Sequence, residues 1–261
     1  MRLSCQVEVF DDLFIQIPRT YYSNNRFKGT LIHKKALTHD IMELRIRLKY
    51  PPSISFAPGQ YMQLESASYK GRESVIRAYS ISSLPTDKNH VEFMIRKVPD
   101  GICSTWVFDH LEEGQEVNLG GPYGEFRLSD TEAPILFIAG GSGMAPIWSM
   151  LRHMKEKGIK RKAHYFFGAQ SRRDLFYMDE LAKLEKELPG FRFIPALSNE
   201  PQESGWKGER GLITEVVSRH FPDTSKHEAY LCGSPPMIDA CVKVLKAGGM
   251  PEEQIYYDKF A

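Results

Sequence analysis

The sequence predicts two folded units in tandem, an antiparallel β-barrel followed by a five-stranded parallel α/β unit. Three observations carry this. Between Arg26 and Arg127, short runs alternate apolar and polar residues and are punctuated by Gly and Pro, the pattern of half-buried strands. From Ala133 onward, apolar runs of strand length alternate with amphipathic helical segments, the pattern of a parallel sheet covered by helices. The first of those runs ends in a Gly-rich turn, Gly140-Gly141-Ser142-Gly143. A chain of 261 residues is long enough for two modest cores. The boundary is expected at 127–133, which gives units at 26–130 and 131–261 after a leading segment, 1–25.

In order along the chain, Met42 to Leu48 has apolar residues at every second position and reads as a strand. Similar runs at Gln60 to Glu65, Arg77 to Ser82, Val91 to Val98 and Glu116 to Leu119 are spaced as in a small antiparallel barrel. Gly121-Pro122-Tyr123-Gly124-Glu125-Phe126 reads as the turn that closes it. Ile135 to Ala139 is a buried strand leading to a helix with Ile147, Met150, Leu151 and Met154 on one face, ended by Gly158. The strand Ala163 to Phe167 precedes a helix carrying Met178, Leu181, Leu184 and Leu188, stopped by Pro189-Gly190. Phe191 to Leu197, a helix around Val216, Glu228 to Cys232, a helix from Met237 to Lys246 and a strand near Ile255 complete the sheet.

Composition excludes several classes. The 34 basic residues nearly cancel the 33 acidic ones, leaving a formal charge of +1, which argues against nucleic acid as the main partner. Cys5, Cys103, Cys232 and Cys241 are scattered and form no metal-ligand set, so no metal site is expected and the cysteines suit a reducing compartment. No run of about 18 apolar residues and no secretion signal are present.

Arg77-Ala78-Tyr79-Ser80 puts a cation, an aromatic ring and a hydroxyl along one strand edge. That set suits a ligand with a diphosphate and a flat ring, and taken alone it equally describes an outward Arg with Tyr79 filling a barrel face. Gly101-Ile102-Cys103-Ser104-Thr105 reads as a capped helix start able to hold a diphosphate, with Cys103 as a small buried residue. Gly141, Ser142, Gly143, Met144, Ala145 and Pro146 form a strand-to-helix turn that suits a phosphate, with Pro146 starting the helix. Because Pro146 replaces the last Gly of the dinucleotide fingerprint and no acid closes the second strand, a Rossmann dehydrogenase is disfavoured. Cys232 ends a strand before Gly233-Ser234-Pro235, at the edge where α/β sheets bind ligands.

Taken together and in this order, Phe56-Ala57-Pro58-Gly59-Gln60-Tyr61, Arg77-Ala78-Tyr79-Ser80, Gly121-Pro122-Tyr123-Gly124, the Gly-rich turn and Cys232-Gly233-Ser234-Pro235-Pro236-Met237 resemble the ferredoxin-NADP+ reductase superfamily. The resemblance runs from about Arg26 to Ala261. It implies a bound FAD with Arg77 on the diphosphate, Tyr79 stacked on the isoalloxazine, Ser80 near N5 and 101–105 on the diphosphate. It implies NADH as hydride donor, with Cys232 beside the nicotinamide. The ending Tyr257-Asp258-Lys259-Phe260-Ala261 resembles the family's, which implies Asp258 as an acid and Phe260 as the aromatic over the flavin. An ordinary last strand with Phe260 in the core is the alternative. Ser198-Asn199 stands where NADPH-preferring relatives carry Ser-Arg, which favours NADH, while Arg172 and Arg173 offer replacement charge or form a solvated loop.

Closer similarity is to the NADH-oxidising flavin subunit of the sodium-translocating NADH:quinone oxidoreductase, in Ser171-Arg172-Arg173-Asp174-Leu175-Phe176-Tyr177 and Ser204-Gly205-Trp206-Lys207-Gly208. Arg2-Leu3-Ser4-Cys5-Gln6-Val7 resembles the end of the [2Fe–2S] domain preceding the flavin domain there, so 1–25 is expected to be a remnant of a longer parent, and a cluster is expected only in that parent. The resemblance implies hydride transfer from NADH to FAD N5 and then single electrons to an iron–sulfur domain or ferredoxin-like acceptor. It implies a cytoplasmic protein, at the inner membrane face when part of a membrane complex. The short link from Glu65 to Arg77 differs from the long insertion found in that flavoprotein and keeps the reductase component of an oxygenase as an alternative. A free-flavin reductase and a non-catalytic docking module complete the alternatives.

Overall fold

The computed structural model describes Phe14 and residues 26–260. Arg2 to Val7, including Cys5, and Ala261 lie outside the described residues.

The first sheet contains β1 (Arg26–Ala36), β2 (Ile41–Tyr50), β3 (Tyr61–Glu65), β4 (Ile76–Ser80), β5 (His90–Arg96) and β6 (Glu116–Tyr123), all antiparallel, in the order β4-β3-β6-β1-β2-β5. A bridge between Ile81 and Phe93 joins its two edges and closes the barrel. Phe27, Leu31, Leu44, Ile46, Met62, Leu64 and Phe93 fill the interior, as their alternation along the strands requires. Helix α1 (Ile102–Asp109) seals one end with Cys103, Trp106 and Val107.

Two strands differ from the sequence expectation. The longest, β1, is absent from it, because Lys28, Lys34 and Lys35 blur the alternation of Phe27, Gly29 and Leu31. Gly29 is required there, since a Cβ would stand 2.5 Å from the Ile46 side chain. The other is β6, which takes in Gly121-Pro122-Tyr123 where a turn is expected. A register shift opposite Tyr61 and Gln63 lets the strand continue, and Gly121 takes φ of 134°, where a side chain would press on Met62.

The second sheet is wholly parallel, in the order β10-β9-β8-β7-β11-β12. Its members are β7 (Ile135–Gly140), β8 (Ala163–Ala169), β9 (Phe191–Leu197), β10 (Glu209–Arg210), β11 (Glu228–Gly233) and β12 (Ile255–Lys259). The five expected strands are present, and the two-residue β10 adds a short edge. Helices α2 (Met144–Lys157) and α3 (Met178–Glu187) cover one face, while α4 (Ile213–His220) and α5 (Pro235–Ala247) cover the other. Pro146 is the third residue of α2 and not its first. It still lies in the opening turn, where its missing N–H leaves no bond unmade.

Helix α2 also packs on the barrel. Its residues share a core with Ile41, Met94 and Phe126 on one side and Phe137, Tyr165 and Tyr230 on the other. Ser149 donates to the Ser83 carbonyl at 2.6 Å, and Arg152 donates to the Ser82 carbonyl at 2.9 Å and to Glu92 at 3.1 Å. Gly59 admits this approach, because a Cβ there would fall 2.0 Å from the Phe126 carbonyl and 2.5 Å from Met150.

Below the sheet, at the amino ends of its strands, the 127–134 segment is tied by a buried ion pair. Arg161 meets Glu228 at 2.7 Å, with both side chains under 5% exposed. Ser129 and Thr131 each donate a hydroxyl to Glu228, and Arg161 donates to the Ala133 and Ser129 carbonyls.

Candidate functional site

The carboxyl ends of β11 and β12 lie side by side, with Cys232 in register with Asp258. Strand β4 arrives from the barrel at the same place, and Ser80 donates to Asp258 Oδ2 at 3.3 Å. Burial raises the Asp258 carboxyl above its ordinary range, and the Ser80 hydroxyl opposes that only in part. Cys232 is completely buried; burial first, and the Asp258 charge second, push its thiol well up. It therefore stays a neutral thiol at pH 7 and is a poor nucleophile. The Phe260 amide donates to the Gly233 carbonyl at 2.9 Å and carries the chain end past the tip of β11. Ser80, Cys232, Asp258 and Phe260, 180 positions apart at the extremes, thus gather at one strand-end cluster.

Along β4, Arg77 and Ala78 are exposed, Tyr79 is half-buried and Ser80 is buried. Among the described residues Arg77 makes one hydrogen bond, to the Ile76 carbonyl at 2.8 Å, which leaves most of its donor fork unengaged by them. The Tyr79 hydroxyl is raised by burial and then by its contact with the Cys103 thiol, and the Arg77 charge bears on both. So Arg77, Tyr79 and the start of α1 converge. That helix begins at Gly101 without a capping side chain, contrary to the expectation of a Ser/Thr cap. Ser104 is turned inward to accept from the Val98 amide at 3.1 Å, and the Thr105 amide closes the first helical bond on the Gly101 carbonyl. The amides of Ile102, Cys103 and Ser104 are what remains for an anion. An open guanidinium, a half-buried ring and an uncapped helix start fit the diphosphate and flat ring system of FAD.

A cleft of about 410 Å³ opens between the barrel and the parallel sheet. Of the residues expected for a nicotinamide dinucleotide, Gly141, Ser198 and Ser234 line it. Ser142, Gly143, Met144, Ala145 and Pro146 are instead buried. Gly143 serves packing, because a Cβ would lie 2.2 Å from the Cys232 carbonyl. Gly233, with φ of 150°, and Pro235, the first residue of α5, shape the adjoining turn. The Ser171 amide and hydroxyl both donate to Asp174, and the Asn199 amide donates to the Gln170 carbonyl at 2.8 Å. Arg173, and not Arg172, lines the cleft.

The barrel contributes His39, Asp40 and Arg96 to this cleft, none of them expected. Arg96 pairs with Asp40 at 2.7 Å and lies over the Gly-rich turn, where a side chain at Gly141 would come 3.3 Å from its guanidinium. Burial alone would raise Asp40, but the Thr38 hydroxyl and Arg96 hold its carboxyl below the usual range. Thr38-His39-Asp40 is visible in the sequence as a polar turn between strands, with nothing local to say which cleft it faces. Together these groups set a cation over the Gly-rich turn, where phosphates would lie, while Cys232 is fully buried and does not line the cleft.

Residues 28–128 match the oxidoreductase FAD-binding domain, and residues 137–243 match the oxidoreductase NAD-binding domain. The chain is 41% identical over 228 residues to the reductase component of propane 2-monooxygenase from Rhodococcus jostii, covering 86% of this chain and 60% of that protein. It is 34% identical over 302 positions to the F component of the Na+-translocating NADH-quinone reductase of Pseudomonas aeruginosa, covering 99% of this chain and 73% of that one. Among solved structures, the cytochrome P450 reductase of Amycolatopsis superposes with a TM-score of 0.82 at 29% identity, over 90% of this chain and 70% of that one. The chain thus spans about 60% of the length of the propane reductase component. An alignment of 302 positions against 261 residues means that the quinone reductase component carries residues this chain lacks. Similarity therefore leans toward the oxygenase reductase and away from the quinone reductase.

Proposed function

The chain belongs to the ferredoxin reductase-like family of FAD- and NAD-binding oxidoreductases, and from that premise we propose that it is the electron-transfer reductase of an oxygenase system, oxidising NADH and serving an iron–sulfur partner. In this reading 26–130 hold FAD and 131–261 hold the dinucleotide. When bound, FAD exchanges a hydride with the nicotinamide and releases electrons one at a time. Arg77 and the amides opening α1 bind the flavin diphosphate, and Tyr79 offers a ring face on a fixed strand. Phe260, at the tip of β11, bounds the opposite side. Arg96 and the Gly-rich turn bind the dinucleotide phosphates from the two sides of the cleft. Cys232, neutral and buried, shapes the nicotinamide pocket and keeps water out.

The observation that carries the reading is the hydrogen bond from Ser80 to Asp258 beside Cys232. It joins the flavin strand to the nicotinamide side through a hydroxyl and a carboxyl whose affinity for a proton is raised. Asp258 can hold a proton at Oδ2, one hydrogen bond from Ser80 Oγ, and so set which partner donates.

The test is anaerobic rapid mixing of the FAD-loaded protein with NADH and with NADPH, followed by addition of an isolated [2Fe–2S] ferredoxin domain. Fast bleaching of the flavin band by NADH, and its return as the ferredoxin is reduced, is expected. A band that neither nucleotide bleaches would defeat the proposal. Bleaching without reduction of the ferredoxin would defeat the iron–sulfur step alone.

A further inference from the structure

Two segments, one from each folded unit, face each other across the cleft. The turn between β1 and β2 puts His39 and Asp40 on the barrel wall, and the loop between β8 and α3, residues 170–177, puts Gln170, Arg173 and Asp174 on the other. His39 Nδ1 stands 3.7 Å from Asp174, so the two walls meet at that point. Behind it the same two segments meet again. The Tyr177 hydroxyl donates to the Glu43 carboxylate, 134 positions away in the chain.

The barrel side of this contact is stiff. The Leu37 amide donates to the Ile41 carbonyl at 2.8 Å and the Thr38 hydroxyl donates to Asp40 at 2.8 Å, so the turn and the start of β2 form one piece. Glu43 belongs to that piece. Its side chain is 17% exposed, with His33 Nε2 at 3.8 Å. Burial first, and the Glu92 charge second, raise its carboxyl, as happens to an acid drawn out of water. A hydrogen bond made there is stronger than one at an open surface.

The loop side needs outside support. Tyr177 takes φ of 57° and ψ of 25°, left-handed backbone that an aromatic residue adopts only when its surroundings compel it. Its ring stands 5.0 Å from the Trp148 ring on α2, and its hydroxyl reaches Glu43. Packing on Trp148 holds the ring, whereas the hydroxyl bond fixes how far the loop reaches toward the barrel. Upstream, Asp174 accepts from the Ser171 amide and hydroxyl, so the loop is braced and a shift at Tyr177 carries to the cleft wall.

We infer that Tyr177 and Glu43 are a positioning pair for dinucleotide binding, which sets the opening of the cleft from outside it. This rests on the reading of the cleft as the dinucleotide site. Neither residue lines the cleft, so the pair acts through Asp174, His39 and Asp40 and touches no ligand. It therefore governs affinity and leaves the chemical step alone.

The test is calorimetric binding of ADP-ribose, which needs no turnover, beside anaerobic flavin reduction over a range of NADH concentrations. Tyr177→Phe keeps the ring on Trp148 and removes only the hydroxyl. It is expected to weaken ADP-ribose binding about ten-fold, the scale of one hydrogen bond to a charged group. The NADH concentration for half-maximal bleaching should rise by the same factor at an unchanged limiting rate. Glu43→Leu is expected to match it, and Glu43→Gln, which keeps an acceptor oxygen, to stay close to wild type. Combining Tyr177→Phe with Glu43→Leu should cost no more than either alone, because both remove one bond. Wild-type affinity in Tyr177→Phe, additive losses in the double variant, or a lower limiting rate with affinity kept would each overturn the inference. Should Glu43→Leu fail to fold, Tyr177→Phe against Glu43→Gln decides by itself, and equal affinities there would overturn it. If wild type binds no ADP-ribose, the dinucleotide reading itself falls and takes this inference with it.

Discussion

Glu228 and Asp258 are two acids on neighbouring strands, at opposite ends of one sheet, and burial acts on both. Glu228, at the amino end of β11, meets Arg161 and the hydroxyls of Ser129 and Thr131. Burial would raise its carboxyl, yet these partners together hold it below the ordinary range. Asp258, at the carboxyl end of β12, has the Ser80 hydroxyl at 3.3 Å, and its carboxyl is raised. The same desolvation thus yields opposite protonation tendencies, and the difference lies in the partners. The saturated acid fastens the connecting segment. The under-partnered one is left free to exchange a proton, which is the usual mark of a working group.

The comparison breaks most visibly if the fastening acid proves dispensable. Arg161→Met leaves a buried carboxylate without its cation and is expected to cost about 3–5 kcal/mol in denaturant unfolding. A loss below about 1 kcal/mol would mean the hydroxyls alone suffice. Asp258→Asn should show the reverse balance, with unfolding stability kept while flavin bleaching by NADH slows. Ser80→Ala sharpens this further. It is expected to slow bleaching about ten-fold, the scale of one hydrogen bond to a charged group, and to move the pH profile upward because Asp258 loses the bond that lowers it. An unmoved profile would separate Asp258 from the reaction.

Arg77→Ala tests the barrel side of the cluster. Equilibrium dialysis should show FAD affinity about ten-fold weaker while binding of ADP-ribose is kept.

The smallest effect concerns the quiet end of the sheet again. His164 and His227 flank the Phe221 ring at 4.8 and 5.0 Å, and burial lowers both imidazoles from 6.5. Because the unfolded chain binds these protons first, stability is expected to fall as pH drops below about 6.5, until the folded imidazoles also protonate. A His164→Phe, His227→Phe variant should flatten that slope in thermal melts, and an unchanged slope would place it elsewhere.

How much of this was legible in the sequence follows from the reach of each signal. Arg77 to Ser80 is one strand edge, so the gathering of a cation, a ring and a hydroxyl there was readable from four consecutive letters. Strands whose alternation survives their charges, such as Met42 to Leu48, were equally plain, whereas β1 was hidden by its lysines: Lys28 and Lys35 are exposed, and Lys34, half-buried, donates to the Phe108 and Leu111 carbonyls. The cleft was harder. His39, Asp40 and Arg96 reach it only because the barrel closes against the parallel sheet, and no local pattern carries that contact. Arg172 could be read as available charge because Glu200, 28 residues away, withdraws it only in the folded chain. Gly143 shows the same limit: it has the look of a phosphate turn residue, and its space is taken by the Cys232 carbonyl.

Helix α2 has a final consequence. Its middle turn touches the barrel through Ser149 and Arg152 and the sheet through Ile147, Met150 and Leu151, so it has no side on which to detach. Peeling the two halves apart would expose apolar surface on both at once, which couples their melting into one cooperative event. The amide protons of Ile147 to Leu151 should therefore exchange with deuterium only on global opening, at the slowest rate in the molecule. The spacing of barrel and sheet is then held by a shared beam and does not depend on a hinge finding its angle.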